Sequence, residues 1–145
     1  MVVLQYATSA EIEAAAVEHD IDLPGDTTYW GAAASNLVNK ATMTHWYSTD
    51  PVTGLPTDDK VAACFRDAAI AQIVYWAKNG VDPEMGAGSI KGSGEVQSSS
   101  IGGGSITKAT ANNEVVRHRV RSLHMLVPMA RLFLPTSYSR PELAW

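Results

Sequence analysis

Four histidines, one cysteine, two short aspartate runs, a glycine-rich stretch and an arginine cluster are the residues of this chain whose types could do chemistry. A metal site on a helix needs two imidazoles on one face, which an i, i+4 spacing supplies. His19, His45, His118 and His124 contain no such pair, so they read as scattered surface or boundary residues. Asp20-Ile21-Asp22 has the carboxylates of a calcium loop but lacks its glycine and closing glutamate. Asp58-Asp59 is better explained as the capped start of a helix, where carboxylates complement the positive end of the dipole. The segment Gly102 to Lys108, GGGSITK, is a phosphate loop in composition only, since its spacing is not GxxxxGK followed by Ser or Thr. No nucleophile elbow is present. The sequence therefore offers no catalytic, cofactor or metal site, and an enzyme has no residues to stand on.

Cys64 lies between alanines and Phe65 and reads as a small buried hydrophobe, with no second cysteine for a disulfide. Arg117, Arg119 and Arg121, with Lys108 nearby, are the candidate contact for nucleic acid, because guanidinium groups pair with phosphates. Residues two apart do not share a helix face, however, and no aromatics interleave with these arginines. A solvated or subunit-contacting face is the reading we carry forward, with a DNA-binding accessory protein as the alternative.

A chain of 145 residues with 46% hydrophobic and 18% charged residues has globular composition and the length of one domain. Its net charge of −4 is unevenly placed. Residues 1–85 carry 12 acids and 4 bases, whereas 86–145 carry 3 acids and 7 bases. Such polarity suits subunits that stack on partners of opposite sign. Apolar runs fall far short of a membrane span, and MVVLQYATSAE lacks the basic start and long apolar run of a signal peptide, so function without export or membrane is expected.

Positioning elements follow from caps and periods. Thr8, with Glu11 three residues on, predicts a capping box and a short first helix. Asp26 or Thr27 caps a second, whose inward face is Trp30, Ala33, Ala34, Leu37, Val38 and Ala41. Residues 48–56, STDPVTGLP, predict a surface loop. A third helix of about 22 residues runs from Thr57 or Asp58 to a C-terminal cap at Gly80, with Val61, Phe65, Ala68, Ala69, Ile73 and Trp76 as its stripe. A fourth should start near Asn112 or Asn113, bury Val116, Val120, Leu123 and Val127, and end or kink at Pro128, with MARLFL as a short continuation.

Between the last two helices the glycines crowd, and alternation in Glu95 to Ile101 and in Ser105-Ile106-Thr107 predicts two short strands about Gly102 to Gly104. We expect residues 86–108 to form a hairpin or arm that contacts a neighbouring subunit through Val96, Ile101 and Ile106. Residues 135–145 have no helical period and form an extended tail, in which Tyr138, Arg140, Leu143 and Trp145 are expected to dock on a partner. The fold class is mainly α: a single domain whose helical core spans about 8–80 and 112–134, built of three to four helices around Trp30, Leu37, Phe65, Ile73, Trp76 and Leu123.

A family resemblance runs through most of residues 5–107. YATSAEIEAAA, then ASNLVNKAT, then YSTDPVTGLPTDDKVAACFRDAAIAQIVYWAKNG, then SSSIGGGSIT, in that order, resemble head-to-tail adaptors of long-tailed bacteriophages, in particular phages of actinobacteria. These are also called head completion or connector proteins. The most specific element is the loop and helix from Tyr47 to Trp76, ending in Gln72, Tyr75 and Trp76. The likeness continues more loosely into LVPMARLF, while GSIKGSGEVQ and SYSRPELAW depart from it.

The resemblance implies a structural virion protein without a cofactor, assembled in the host cytoplasm and located at the head-tail interface. It implies a helical bundle repeated, typically twelve times, as a ring beneath the portal. Partners would be further copies of itself, the portal protein, a head-closure or stopper protein on the tail side, and double-stranded DNA passing without sequence-specific binding. An acidic first part suits such a channel, because a basic bore would hold phosphates and slow ejection.

Overall fold

The computed structural model describes residues 4–23, 25–86 and 106–135, with the backbone alone over 106–113. It is mainly helical: α1 (Ser9–Glu18), α2 (Thr27–Thr42), α3 (Asp59–Lys78), α4 (Ile106–Arg121) and the single turn α5 (Pro128–Arg131). No helix among the described residues is long and apolar enough to cross a membrane.

Each of the first three helices starts on a side-chain cap. At α1 the Thr8 hydroxyl accepts from the Glu11 amide at 3.2 Å and the Glu11 carboxylate accepts from the Thr8 amide at 3.0 Å, the reciprocal bonds of a capping box. Asp26 and Asp58 accept from Thr28 and Lys60 amides at 2.9 and 2.8 Å. Two C-termini close alike. The Ile21 amide reaches back to the Ala16 carbonyl and the Val81 amide to the Trp76 carbonyl, the six-to-one bond of a Schellman motif. That motif needs a left-handed residue just before the donor. Gly80 takes it with φ +68, and Asp20 takes it with φ +52, at a modest steric cost that a short polar side chain tolerates.

The core lies where α3 crosses the others. Phe65, Ala68, Ala69, Ile73 and Trp76 are buried along α3, and Trp30, Ala34, Leu37 and Val38 meet them from α2. Phe65 is held edge-on by Tyr6 and Tyr47, with ring centroids 5.1 and 5.0 Å away, and Trp30 meets Trp76 at 6.3 Å. The chain before α1 is also interior. Tyr6 and Ala7 are buried, with the Tyr6 amide donating to the buried Ser35 hydroxyl at 2.9 Å.

Residues 48–56 form a folded loop. The Asp50 carboxylate accepts from the amides of Val52 and Thr53, Asp50 and Leu55 are joined through their backbones, and Thr49 bridges Pro56. Gly54 supplies the positive φ of +73 that this turn requires.

The C-terminal third corrects the expectation in three places. Helix α4 begins at Ile106, so Ile106 and Thr107 are helical and do not form the second strand of a hairpin. The segment ITKATA has alanine and lysine enough to extend the helix N-terminally, and Asn112 and Asn113 lie inside it instead of capping it. The helix then stops at Arg121, well before Pro128. Pro128 opens α5 at its first position, where the missing N–H costs nothing. In consequence Leu126 and Val127 are buried while Leu123 is only half-buried against the core. The rest of the expected arm, with Val96 and Ile101, and the tail with Tyr138, Arg140, Leu143 and Trp145 lie outside the described residues.

Candidate interaction surface

What ends α4 is a buried polar contact from α3. The Gln72 side chain, fully buried, donates to the Ser122 carbonyl at 2.8 Å and accepts from the Val127 amide at 2.8 Å. The Trp76 indole N–H is shared between the Ser122 carbonyl at 3.1 Å and the Ser122 hydroxyl at 3.2 Å. Ser122 itself donates to the Arg119 carbonyl. Two α3 side chains thus satisfy the backbone groups that a continued helix would have used, and the chain turns from α4 to lie on α3.

This turn builds a face. Ala130 is wholly buried, so the neighbouring α5 positions point outward: Met129 is 62% exposed and Leu132 78%. Met125 and Phe133 are also exposed. Between α4 and α5 lies a groove of about 340 Å³ with Tyr75, Leu126 and Val127 along its lining and His118, Arg121 and Arg131 bringing positive or ionisable groups to it. From residue 114 to 135 there are four arginines and one glutamate. Exposed large apolar side chains and arginines thus share this short segment.

The arginines of the sequence cluster are separated by the fold. Arg117 and Arg121, four apart and so on one face, are exposed, while Arg119 is half-buried with an Nε that has no hydrogen-bond partner among the described residues.

A second groove of about 530 Å³ lies over Trp76, lined by Tyr29, Ala33, Asn36, Leu37, Leu123 and His124. Among the described residues its lining carries a single imidazole and no carboxylate, so these offer no acid and base pair. His19, His45, His118 and His124 are all exposed and come from different elements. No group of three or more His, Cys, Asp or Glu among the described residues is placed to hold a metal ion. Asp58 is engaged as a helix cap, and Asp20 and Asp22 are exposed beyond α1. Cys64 is half-buried and free, where full burial was expected, because it sits off the core stripe between Val61 and Phe65.

Sequence reasoning missed the exposed apolar face of α5, which it had read only as a short continuation of the fourth helix. The signal was present in the short distance from Pro128 to Pro135, too short for a helix with two buried faces. It missed as well a second exposed group, Met43, Trp46 and Val52, at the end of α2 and in the following loop.

On the opposite flank of the molecule stands α1. It packs through Ile12 and Ala15 on Ile70, Ile73 and Val74 of α3, and its Glu11 meets Arg66 at 3.3 Å. Its outer side carries Ala10, Glu13, Ala14, Val17 and Glu18, all exposed. From residue 9 to 22 there are five carboxylates and no lysine or arginine. Arg66 and Tyr75 are nine residues apart, about two and a half helical turns, which puts α1 and the α4–α5 groove on opposite sides of α3.

No family model, no curated protein and no solved structure matches this chain.

Proposed function

We propose that this protein is a head-to-tail adaptor of a long-tailed bacteriophage, a structural subunit that repeats as a ring, in twelve copies on the family pattern, below the portal and joins the DNA-filled head to the tail. The observation that carries a binding role is the α4–α5 groove, where Met125 stands exposed with Arg121 and Arg131, on a segment that also leaves Met129, Leu132 and Phe133 exposed. The resemblance supplies the kind of assembly. Its most specific segment, Tyr47 to Trp76, coincides with the load centre of this fold: Tyr47 packs on Phe65, and Gln72 and Trp76 shape the binding face from behind. Partners on this reading are further copies, the portal protein, a stopper or other tail-side protein, and duplex DNA in transit. The protein would carry no chemistry of its own and would reside in the virion.

The test is reconstitution. Portal-bearing heads of the cognate phage that lack the adaptor should gain a ring of added density at the portal vertex when the purified protein is supplied, and should then accept tails. Heads that remain bare would refute the proposal.

A DNA-binding accessory protein is the second reading, favoured by the shared exposed face of Arg117 and Arg121. Binding to duplex DNA measured against salt separates the two. The adaptor reading expects weak, sequence-independent binding at physiological salt, whereas submicromolar, sequence-selective binding, lost when Arg117 and Arg121 become Gln, would favour the alternative.

A further inference from the structure

We infer that the outer face of α1 in one copy seats in the α4–α5 groove of the next copy, so that the chain carries its own acidic plug and basic socket on opposite flanks. This deepens the adaptor reading, and rests on it, by naming the surfaces through which the ring closes.

The plug is a helix face with the i, i+3, i+4, i+7, i+8 spacing that lays one side of a helix into a groove: Ala10, Glu13, Ala14, Val17, Glu18. Small residues run down its middle, so a neighbour's side chains can approach its backbone closely, and Val17 projects 82% exposed at its end. Glu13 and Glu18 flank that strip, and Asp20 and Asp22 continue the negative charge just past the helix.

The socket has the opposite character at each point. Its floor is apolar, its exposed Met125 is long and flexible where the plug is small, and Arg121 and Arg131 stand where carboxylates would arrive. No lysine or arginine lies in the plug and only Glu114 opposes the arginines of the socket segment, so two plugs or two sockets repel while a plug and a socket attract. A contact between two different patches is heterologous and propagates head to tail. Because the patches lie on opposite sides of α3, successive copies add in one direction and close as a ring or continue as a filament.

The experiment is a charge exchange read by molar mass in solution, using light scattering on the full chain. The parent should self-associate and dissociate as salt is raised. The pair Glu13→Lys with Glu18→Lys, and separately Arg121→Glu with Arg131→Glu, should each weaken association at least tenfold. Circular dichroism and melting should be unchanged, since all four side chains are exposed. An equimolar mixture of the two variants should recover association, because a lysine plug then repels its own socket but meets a glutamate socket on the other variant. A parent that stays monomeric to about millimolar concentration, or variants that associate as the parent does, would overturn the contact. Loss of duplex DNA binding in the arginine variant, without loss of association, would assign the groove to nucleic acid and overturn it equally. Attachment to portal is scored separately. Variants that fail to self-associate yet still form the full ring on portal sink this contact and leave the adaptor reading standing. Charge-dependent association with no attachment of the parent does the reverse.

Discussion

Val127 donates its backbone N–H to the Gln72 side-chain oxygen at 2.8 Å across 55 residues of sequence, and through this bond α3 dictates where α4 ends and α5 begins. The other end of the same amide holds the Ser122 carbonyl. Gln72→Leu keeps the approximate volume but leaves the Val127 amide and part of the Ser122 carbonyl buried without partners, each a loss of about 1–3 kcal/mol. We expect urea unfolding to show a destabilisation of about 2–4 kcal/mol. Hydrogen exchange should show the largest loss of protection over residues 122–131. A change below about 0.5 kcal/mol would mean that the turn is held by other contacts.

The corrected core makes a paired prediction. Phe65 is fully buried between two aromatic rings, so Phe65→Ala should cost about 3–5 kcal/mol. Leu123 sits half-exposed at the groove over Trp76, and Leu123→Ala should cost about half as much or less. Equal losses would restore Leu123 to the core and place α4 wrongly.

Gly31 lies at a close approach. A Cβ there would stand 2.9 Å from the terminal carbon of Ile12, which is itself buried. Helix propensity alone favours Gly31→Ala by about 1 kcal/mol, so the sign of the change reports the clash. In the parent we expect net destabilisation of about 1 kcal/mol. In an Ile12→Val background, which removes that terminal carbon, the same substitution should become stabilising. Additive effects in the double-mutant cycle would contradict the packing of α1 on α2.

Local chemistry made much of this fold readable from sequence. Thr8 with Glu11, Asp26, Asp58 and Gly80 each act within one turn of where they stand, so the starts of α1, α2 and α3 and the end of α3 follow from neighbours in the chain. The stripe from Val61 to Trp76 was readable for the same reason, since a helix of that length has only one way to bury it. The end of α4 was not. No proline or glycine marks Ser122, and the stop comes from Gln72 and Trp76, a tertiary cause fifty residues away. Once the helix stops at Arg121, Leu126 and Val127 take the interior that its continued period would have given to Leu123 and Val127. The charge asymmetry was legible as a count, but only the placement of α1 and α5 on opposite flanks of α3 turns it into two complementary surfaces.

Whether this protein forms a ring on the portal is read directly by electron microscopy of portal complexes of the cognate phage mixed with it. We expect a ring of added subunits, of the portal's own symmetry, on the tail-facing side of the portal with an open axial channel. Portal particles indistinguishable from those without the protein, at concentrations far above those at which it self-associates, would contradict it.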